Sequence, residues 1–449
     1  MSGVIGVYNH PEAAQVIFYG LHALQHRGQE GAGITVSDGK ELNAYKNFGI
    51  TQKVFDQETL GKLKGTSGIG HVHYPTKERR IIQNIQPFYF KHSRYDFSVC
   101  HHGDLVNSQQ LRLFLEESGS IFQSDSDSEV FAHLLNFHRS DSIVDSLKQT
   151  LNYMDGGFSF LHLTADALYA IRDRHGLTPL ALGKLDDSYI VASETCAIEV
   201  VGGEWIRDIE AGEILRIDAS GLTSFSYAKD TQEIVSAMEF VYYSRPDSSI
   251  GGVNVHLARK ETGRVLAEES HVDADLVIGI PDSSLSAAQG YAEAMNMPVE
   301  MGIIKNRYVG RTFIMESQKL RDQGVKMKLS AIKAVVEGKR IILVDDSLVR
   351  GTTSKRIVKM MRDAGATEIH LRIACPEIKA PYFYGLDSYD ASELISNQFN
   401  KEELCKHVGA DSLDFLSVEG IAAAIPEVGL YLGCFNYDLP THIYEGETE

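Results

Sequence analysis

The stretch from Arg340 to Arg356, RIILVDDSLVRGTTSKR, holds the densest set of groups that could do chemistry. Two adjacent carboxylates, Asp345 and Asp346, follow an apolar run from Ile341 to Val344. A hydroxyl-rich loop comes next, Ser347 to Thr353, with Gly351 where the backbone must approach something closely. Backbone N–H groups at a helix N-terminus, helped by Thr352 and Thr353, can cradle a phosphate without a lysine. Asp345 and Asp346 can accept hydrogen bonds from ribose hydroxyls or hold Mg²⁺ through its waters. The loop is not a Walker A loop, because the chain contains no GxxxxGK(S/T). Two aspartates alone would also fit an acidic turn in an ordinary doubly wound domain.

The elements that must position these groups can be read around them. Ile341 to Val344 is short enough for a buried parallel strand. Ile357, Val358, Met360, Met361 and Ala364 have helical spacing, with Gly365 as the stop. TEIHLRIACP reads as the next strand, so the stretch is half of a βαβ unit. The acidic pair then lies at the carboxyl end of a strand, where open α/β sheets bind ligands. Upstream, Asp275 to Ile280 reads as another buried strand. Its turn, Pro281-Asp282-Ser283-Ser284, leads into an Ala-rich helix from Leu285 to Met295. PDSS is also good capping chemistry wherever it occurs. Between the two turns lies a basic cluster: Lys305, Arg307, Arg311, Lys319, Arg321, Lys326 and Lys328. A charge run is usually a solvated face. In an acidic chain this local basic cluster needs a reason.

Composition narrows the classes. At 449 residues, 43% hydrophobic and 23% charged, the chain reads as a globular protein of two or three domains. A formal net charge of −18 argues against nucleic acid or an anionic membrane as the main partner. No apolar run approaches the ~18 residues of a membrane span. Five scattered cysteines without a CxxC suggest a reducing, cytoplasmic setting. MSGVIGVYN does not read as a secretion signal.

The first half reads as β-rich. Strand-like runs occur at GVIGVY, AGITVS, SGIGHVHY, DFSVCHH, FSFLHL, ALYAIRD, YIVASE and GEILRID. Helices are expected over Pro11 to Gln25, Ser108 to Ser118 and Ser126 to Phe137, the last capped by Asp125 or Ser126. Many strands with few helices suggest a sandwich of sheets covered by helices. Near Thr231 the pattern changes to alternating strands and helices, which places a boundary there.

VDDSLVRGTT resembles the phosphoribosyl pyrophosphate (PRPP) loop of type I phosphoribosyltransferases. GVIGVYNH, YGLHALQHRGQEGAGI, GIGHVHY, GDLVN, GSIFQSDSDSEV and VASETCA resemble the N-terminal-nucleophile (Ntn) glutaminase domain of the amidophosphoribosyltransferase family. The resemblance covers both halves in order. It implies an α+β Ntn-hydrolase-like αββα sandwich over residues 1–230, then an α/β type I phosphoribosyltransferase domain over 231–449. It also implies synthesis of 5-phosphoribosylamine from PRPP and ammonia in purine biosynthesis, a cytoplasmic homo-oligomer (dimer or tetramer), and purine nucleotide effectors. By the same resemblance Asp282, Ser283, Ser284, Lys305, Arg311, Lys328, Asp345, Asp346, Ser347, Arg350, Gly351, Thr352 and Thr353 contact PRPP. Ser283, Asp345 and Asp346 would serve Mg²⁺, and KNRYVGRTFI would close over the substrate and exclude water.

Three glutaminase positions depart from the family pattern. The nucleophile, a cysteine in the family, is Ser2, a weaker nucleophile than a partly ionised thiol. The arginine that clamps the glutamine carboxylate is replaced by His73, which gives one hydrogen bond and no fixed charge. The asparagine of the oxyanion hole is replaced by His102, and losing such a donor typically costs about 10²–10³ in rate. Arg27, Gly103 and Asp127 match, with Asp127 expected at the substrate amine. The expectation is a transferase whose glutamine hydrolysis is lost or impaired. A regulatory PRPP- or nucleotide-binding paralogue, associating with an active relative, is the alternative. Bacterial relatives often hold an iron–sulfur cluster on four cysteines. Ser236, Tyr382 and Tyr431 occupy three of those places, leaving Cys434, so no cluster is expected.

Overall fold

The computed structural model describes residues 2–74, 80–92, 94–306, 329–385 and 391–442. The N-terminal half is built from two antiparallel sheets. One has seven strands, in the order Glu204–Asp208, Ala181–Leu185, Ser188–Ala192, Gly3–Tyr8, Ser67–His73, Gly31–Ser37 and Leu42–Phe48. The other has six, in the order Gly221–Ser226, Glu213–Asp218, Leu168–Arg172, Gly156–Thr164, Phe97–Leu105 and Phe88–Phe90.

Side-chain alternation sorts these strands into layers. Val4 packs with Ile69, Cys100, Leu161 and Leu168 between the sheets. Its neighbour Ile5 points the other way, onto Ile17 and Leu21 of the helix Ala13–Ala23. On the second sheet, Val99 and Phe160 pack against the helices Asp127–Phe137 and Ile143–Tyr153, through Val130, Phe131 and Leu147. Helix, sheet, sheet and helix layers enclose three apolar seams, the expected αββα sandwich.

The second half is a parallel sheet in the order Leu276–Gly279, Arg340–Asp345, Glu368–Ile373, Ser412–Phe415. The helices Val255–Glu269, Leu285–Met295 and Thr352–Asp363 accompany it. Ile341 to Val344 are fully buried, as a central parallel strand requires. A short parallel pair joins Ile234–Ser236 to Gly429–Tyr431. Between the halves the chain makes a single π-helical turn, Glu239–Tyr243.

Candidate functional site

The strand Arg340–Asp345 delivers Asp345 as its last residue, and Asp346 begins the following turn. The neighbouring strand Leu276–Gly279 ends in the Pro281 to Ser284 turn, which faces the acidic pair. Ser283 Oγ donates to Asp346. Ser284 Oγ lies 2.7 Å from Ile280 O and 3.3 Å from Asp345 Oδ1. Ser284 makes no side-chain cap for the helix Leu285–Met295. PDSS thus supplies no side-chain cap: Ser283 is spent on Asp346, and Ser284 on Ile280 O and Asp345. Asp282 accepts from Lys305 Nζ at 2.5 Å.

Both aspartates are 8% exposed. Burial, then the charge of Asp346, pushes the Asp345 carboxyl well above the carboxylate range. Burial also raises Asp346, against the donors Ser283 and Ser347. A buried pair of like charges open to a cleft is the kind of oxygen donor set that a hard dication takes. No cluster of three or more ligating side chains occurs among the described residues, so water and substrate oxygens would complete such an ion's shell.

The cleft has a volume of about 440 Å³ and runs from Ser283 along Asp345 to Thr353, ending against Tyr242, Tyr243 and Tyr382. Gly351 sits at φ +67°, and a Cβ there would lie 2.4 Å from Ile395 Cδ1. It is also the N-cap of the helix Thr352–Asp363 and has no side chain to cap with. The first-turn amides over Thr352 and Thr353 are thus left for another acceptor, the requirement for a phosphate cradle. Ser347 donates to Asp346 Oδ1 at 2.6 Å, and the exposed Arg350 pairs with Glu393. Arg311 and Lys328, with Tyr308 and most of the closing segment, lie outside the described residues.

A second cluster surrounds Ser2. Its backbone N lies 3.3 Å from His102 Nδ1, and its Oγ lies 3.5 Å from Tyr74 N. On the far side of the ring, His102 Nε2 is 3.3 Å from Arg27 Nη1 and 3.8 Å from Glu239 Oε1. Arg27 is fully buried and pairs with both Glu194 and Glu239, and also donates to Ser244 Oγ at 3.1 Å. Burial alone would raise Glu239, but Arg27 and His102 hold it down to about 2. Arg27 therefore organises carboxylates, with its charge already compensated inside the protein.

His73 ends the strand Ser67–His73 and is 5% exposed. Burial pushes its pKa down to about 3, so it is neutral at pH 7. Burial takes His102 down to about 4. Gly103 adopts φ +105°, and a Cβ there would meet Gly157 O at 2.0 Å, so only glycine fits. Asp127 accepts from Leu105 N at 2.8 Å and from Ser108 Oγ. The structure thus brings Ser2, Arg27 and His102 into one cluster, with His73 one residue from the Tyr74 amide. Gly103 and Asp127 are linked through the end of the strand Phe97–Leu105.

Comparison with known proteins agrees with both halves. Residues 77–200 match the family described as a glutamine amidotransferase domain, and 255–409 match the phosphoribosyl transferase domain. The amidophosphoribosyltransferase of Bacillus subtilis is 49% identical over 450 residues, covering 99% of this chain and 94% of that protein. That of Staphylococcus aureus strain N315 is 50% identical over 453 residues, covering 99% and 92%. The chain belongs to the amidophosphoribosyltransferase family. The solved glutamine PRPP amidotransferase of B. subtilis, complexed with ADP and GMP, superposes with a TM-score of 0.94 at 49% identity, covering 99% of this chain and 98% of that one. A structure described as the allosteric regulatory enzyme of purine biosynthesis gives 0.95 at 49% identity, with 99% and 97% covered. As a family member the chain is an enzyme of the phosphoribosyltransferase class, a glutamine amidotransferase domain followed by a phosphoribosyltransferase domain.

Ser236 pairs with Tyr431 across the short parallel ladder, and the Tyr382 and Tyr431 rings lie 6.1 Å apart. Cys434 is 1% exposed, and burial pushes its thiol up to about 12.

Sequence reasoning missed Glu194, Glu239 and Arg259, which bind the amide cluster to the second half. One signal was available. Glu239 sits inside SAMEFVYY, and a carboxylate among aromatic and aliphatic residues is costly unless a cation meets it.

Proposed function

We propose that this family member forms 5-phosphoribosylamine from PRPP and ammonia, with Mg²⁺, and that its glutamine hydrolysis is impaired. The observation that carries the transferase reading is the buried Asp345–Asp346 pair beside an uncapped helix start at Gly351. The pair suits a metal-bound diol, and the free amides suit a phosphate. Mg²⁺ would be served by Asp345, Asp346 and Ser283, and would neutralise charge on the departing pyrophosphate. Arg350 and Lys305, both near the mouth, already have carboxylate partners that a substrate would displace.

Impairment of glutamine use rests on charge at the amide cluster. A neutral, buried His73 offers an α-carboxylate no cation, and Arg27 is already committed to Glu194 and Glu239. His102 turns Nδ1 to the backbone of Ser2, so that nitrogen is occupied rather than aimed at a developing oxyanion. The reading includes a cytoplasmic location, assembly as a homo-oligomer and the absence of an iron–sulfur cluster, since one thiolate cannot hold one. Purine nucleotides as effectors are supported by the ADP and GMP complex of the B. subtilis relative.

The test is PRPP-dependent pyrophosphate release with Mg²⁺, comparing ammonium, glutamine and neither. Release with ammonium and little with glutamine is expected. Equal release with both would overturn the impairment. No release with either, alongside PRPP binding, would favour a regulatory, non-catalytic paralogue.

A further inference from the structure

The helix-covered side of the second sheet carries a separate cavity of about 240 Å³. It opens where the turn between the strands Phe88–Phe90 and Phe97–Leu105 meets two helices, the end of Asp127–Phe137 and the start of Ile143–Tyr153. None of its lining residues belongs to the acidic cleft or to the Ser2 cluster. The strand Phe97–Leu105 borders the cavity at Phe97 and meets Ser2 only further along, through His102.

The floor is apolar and largely aromatic. Phe97 and Leu135 are buried, and the Tyr95 ring lies 6.0 Å from that of Phe97. The His92 ring stands 5.6 Å from Tyr95. The rim, by contrast, carries two guanidiniums. Arg94 donates to Ser140 O at 2.9 Å and lies 3.9 Å from Asp141, a fully exposed carboxylate. Arg139 makes no hydrogen bond or ion pair among the described residues. Asp141 is the only acid lining the cavity among those residues.

The walls are held in place by the protein itself. His92 Nδ1 accepts from Arg94 N at 3.3 Å, which leaves Nε2 to donate to Asn136 Oδ1 at 3.3 Å. Asp96 accepts from Tyr89 Oη at 2.6 Å and from His92 N at 3.2 Å, pinning the turn. Ser146 Oγ accepts from Ser140 N at 2.8 Å and donates to Ser142 O at 3.1 Å, tying down the link between the helices.

We propose that this cavity binds a small aromatic carboxylate, with its ring against Tyr95 and Phe97 and its carboxylate taken by Arg94 and Arg139. A dry cavity of about 150 Å³ accommodates benzene. The larger space here leaves room for one ring and a charged substituent. Tilted aromatic side chains offer a flat ligand both face and edge contacts. The planar fork of arginine matches a carboxylate through two parallel hydrogen bonds. Arg94 faces only an exposed partner, and such pairs contribute little, so an entering anion displaces Asp141 at small cost.

The experiment titrates sodium benzoate into the full-length chain, followed by calorimetry and by saturation transfer to the ring protons. A Kd of about 1 mM or below is expected, in keeping with so small a ligand. Arg139→Gln, a change at an exposed side chain, should weaken binding at least tenfold and leave PRPP-dependent pyrophosphate release as in the parent. Cyclohexanecarboxylate should bind the parent at least fivefold more weakly than benzoate, and Tyr95→Leu should shrink that preference. Benzoate that does not bind, or that binds Arg139→Gln as tightly as the parent, would overturn the site. Equal binding of cyclohexanecarboxylate would overturn the aromatic assignment, and binding of phenyl phosphate in place of benzoate would overturn the carboxylate. If Tyr95→Leu does not fold, Arg139→Gln and the comparison of ligands on the parent still decide the proposal.

Discussion

Asp345 and Asp346 place two carboxyls side by side where water reaches little of either. Without a cation, the folded chain must bear their repulsion or keep a proton on one of them. Replacing Asp345→Asn removes that burden while keeping the shape. The variant should melt at a higher temperature than the parent and lose about 10–100-fold in PRPP-dependent turnover, as removal of a metal-supporting group typically does. Differential scanning calorimetry and the pyrophosphate assay check the two halves of the statement. The acidic pair was legible from sequence because its residues are adjacent and end a strand. Glu194, Glu239 and Arg27 were not legible as a set. They lie far apart along the chain, and only the packing of the first strand, its helix and the π turn brings them together.

At the scale of elements, local pattern worked wherever one face of an element meets a core. The helix Leu285–Met295 has the expected bounds, and the helix Asp127–Phe137 is capped by Ser126, one of the two expected residues. The strand Leu42–Phe48, LNAYKNF, escaped notice because it is an edge strand, mostly exposed, with almost no apolar alternation to betray it. The helix Ile143–Tyr153 lies outside the three helices expected in the first half, although Ser142 caps it and its apolar residues keep helical spacing. The loop before Thr352–Asp363 rests on one left-handed residue. Gly351→Ala should cost about 1–3 kcal/mol through φ alone. It should also raise the Kd for PRPP, by displacing the first-turn amides. Denaturant titration and calorimetry measure these, and an Ala variant that binds PRPP normally would show that the cradle tolerates a shifted loop.

For the whole molecule, five histidines stay uncharged in the interior: His71, His73, His101, His102 and His162. Burial lowers each below its unfolded value near 6.5, so between about pH 6.5 and 4 the unfolded chain binds more protons than the folded one. Stability must then fall with acid, by up to about 1.4 kcal/mol per pH unit for each histidine fully in that window. Asp345, Asp346, Asp155 and Asp173, raised by burial, act with the opposite sign, while Glu194 and Glu239, held low by Arg27 and their histidine partners, act with the five histidines. Urea midpoints measured from pH 8 to 4.5 should decline steadily below about 6.5. His162 offers an internal control. Among the described residues neither ring nitrogen has a hydrogen-bond partner, and the ring packs 5.0 Å from Phe97 and 5.6 Å from Tyr169. His162→Phe should stabilise the fold by about 1–2 kcal/mol at neutral pH, since an unpartnered polar group is removed. It should also flatten the acid slope by one histidine's share.

The short parallel ladder between Ile234–Ser236 and Gly429–Tyr431 sets an order of events on the ribosome. The sandwich has all of its strands once Ser226 has emerged, and it can close while the rest is still being made. The strand Ile234–Ser236 must wait for a partner translated about 195 residues later, roughly 10–40 s at typical elongation rates. During that interval Glu239 has already been synthesised and can reach Arg27, so the N-terminal sandwich can be locked before the parallel sheet of the second half exists. A nascent chain stalled near residue 300 should therefore carry a protease-resistant N-terminal half, while the transferase half remains open to cleavage until its last strand is released.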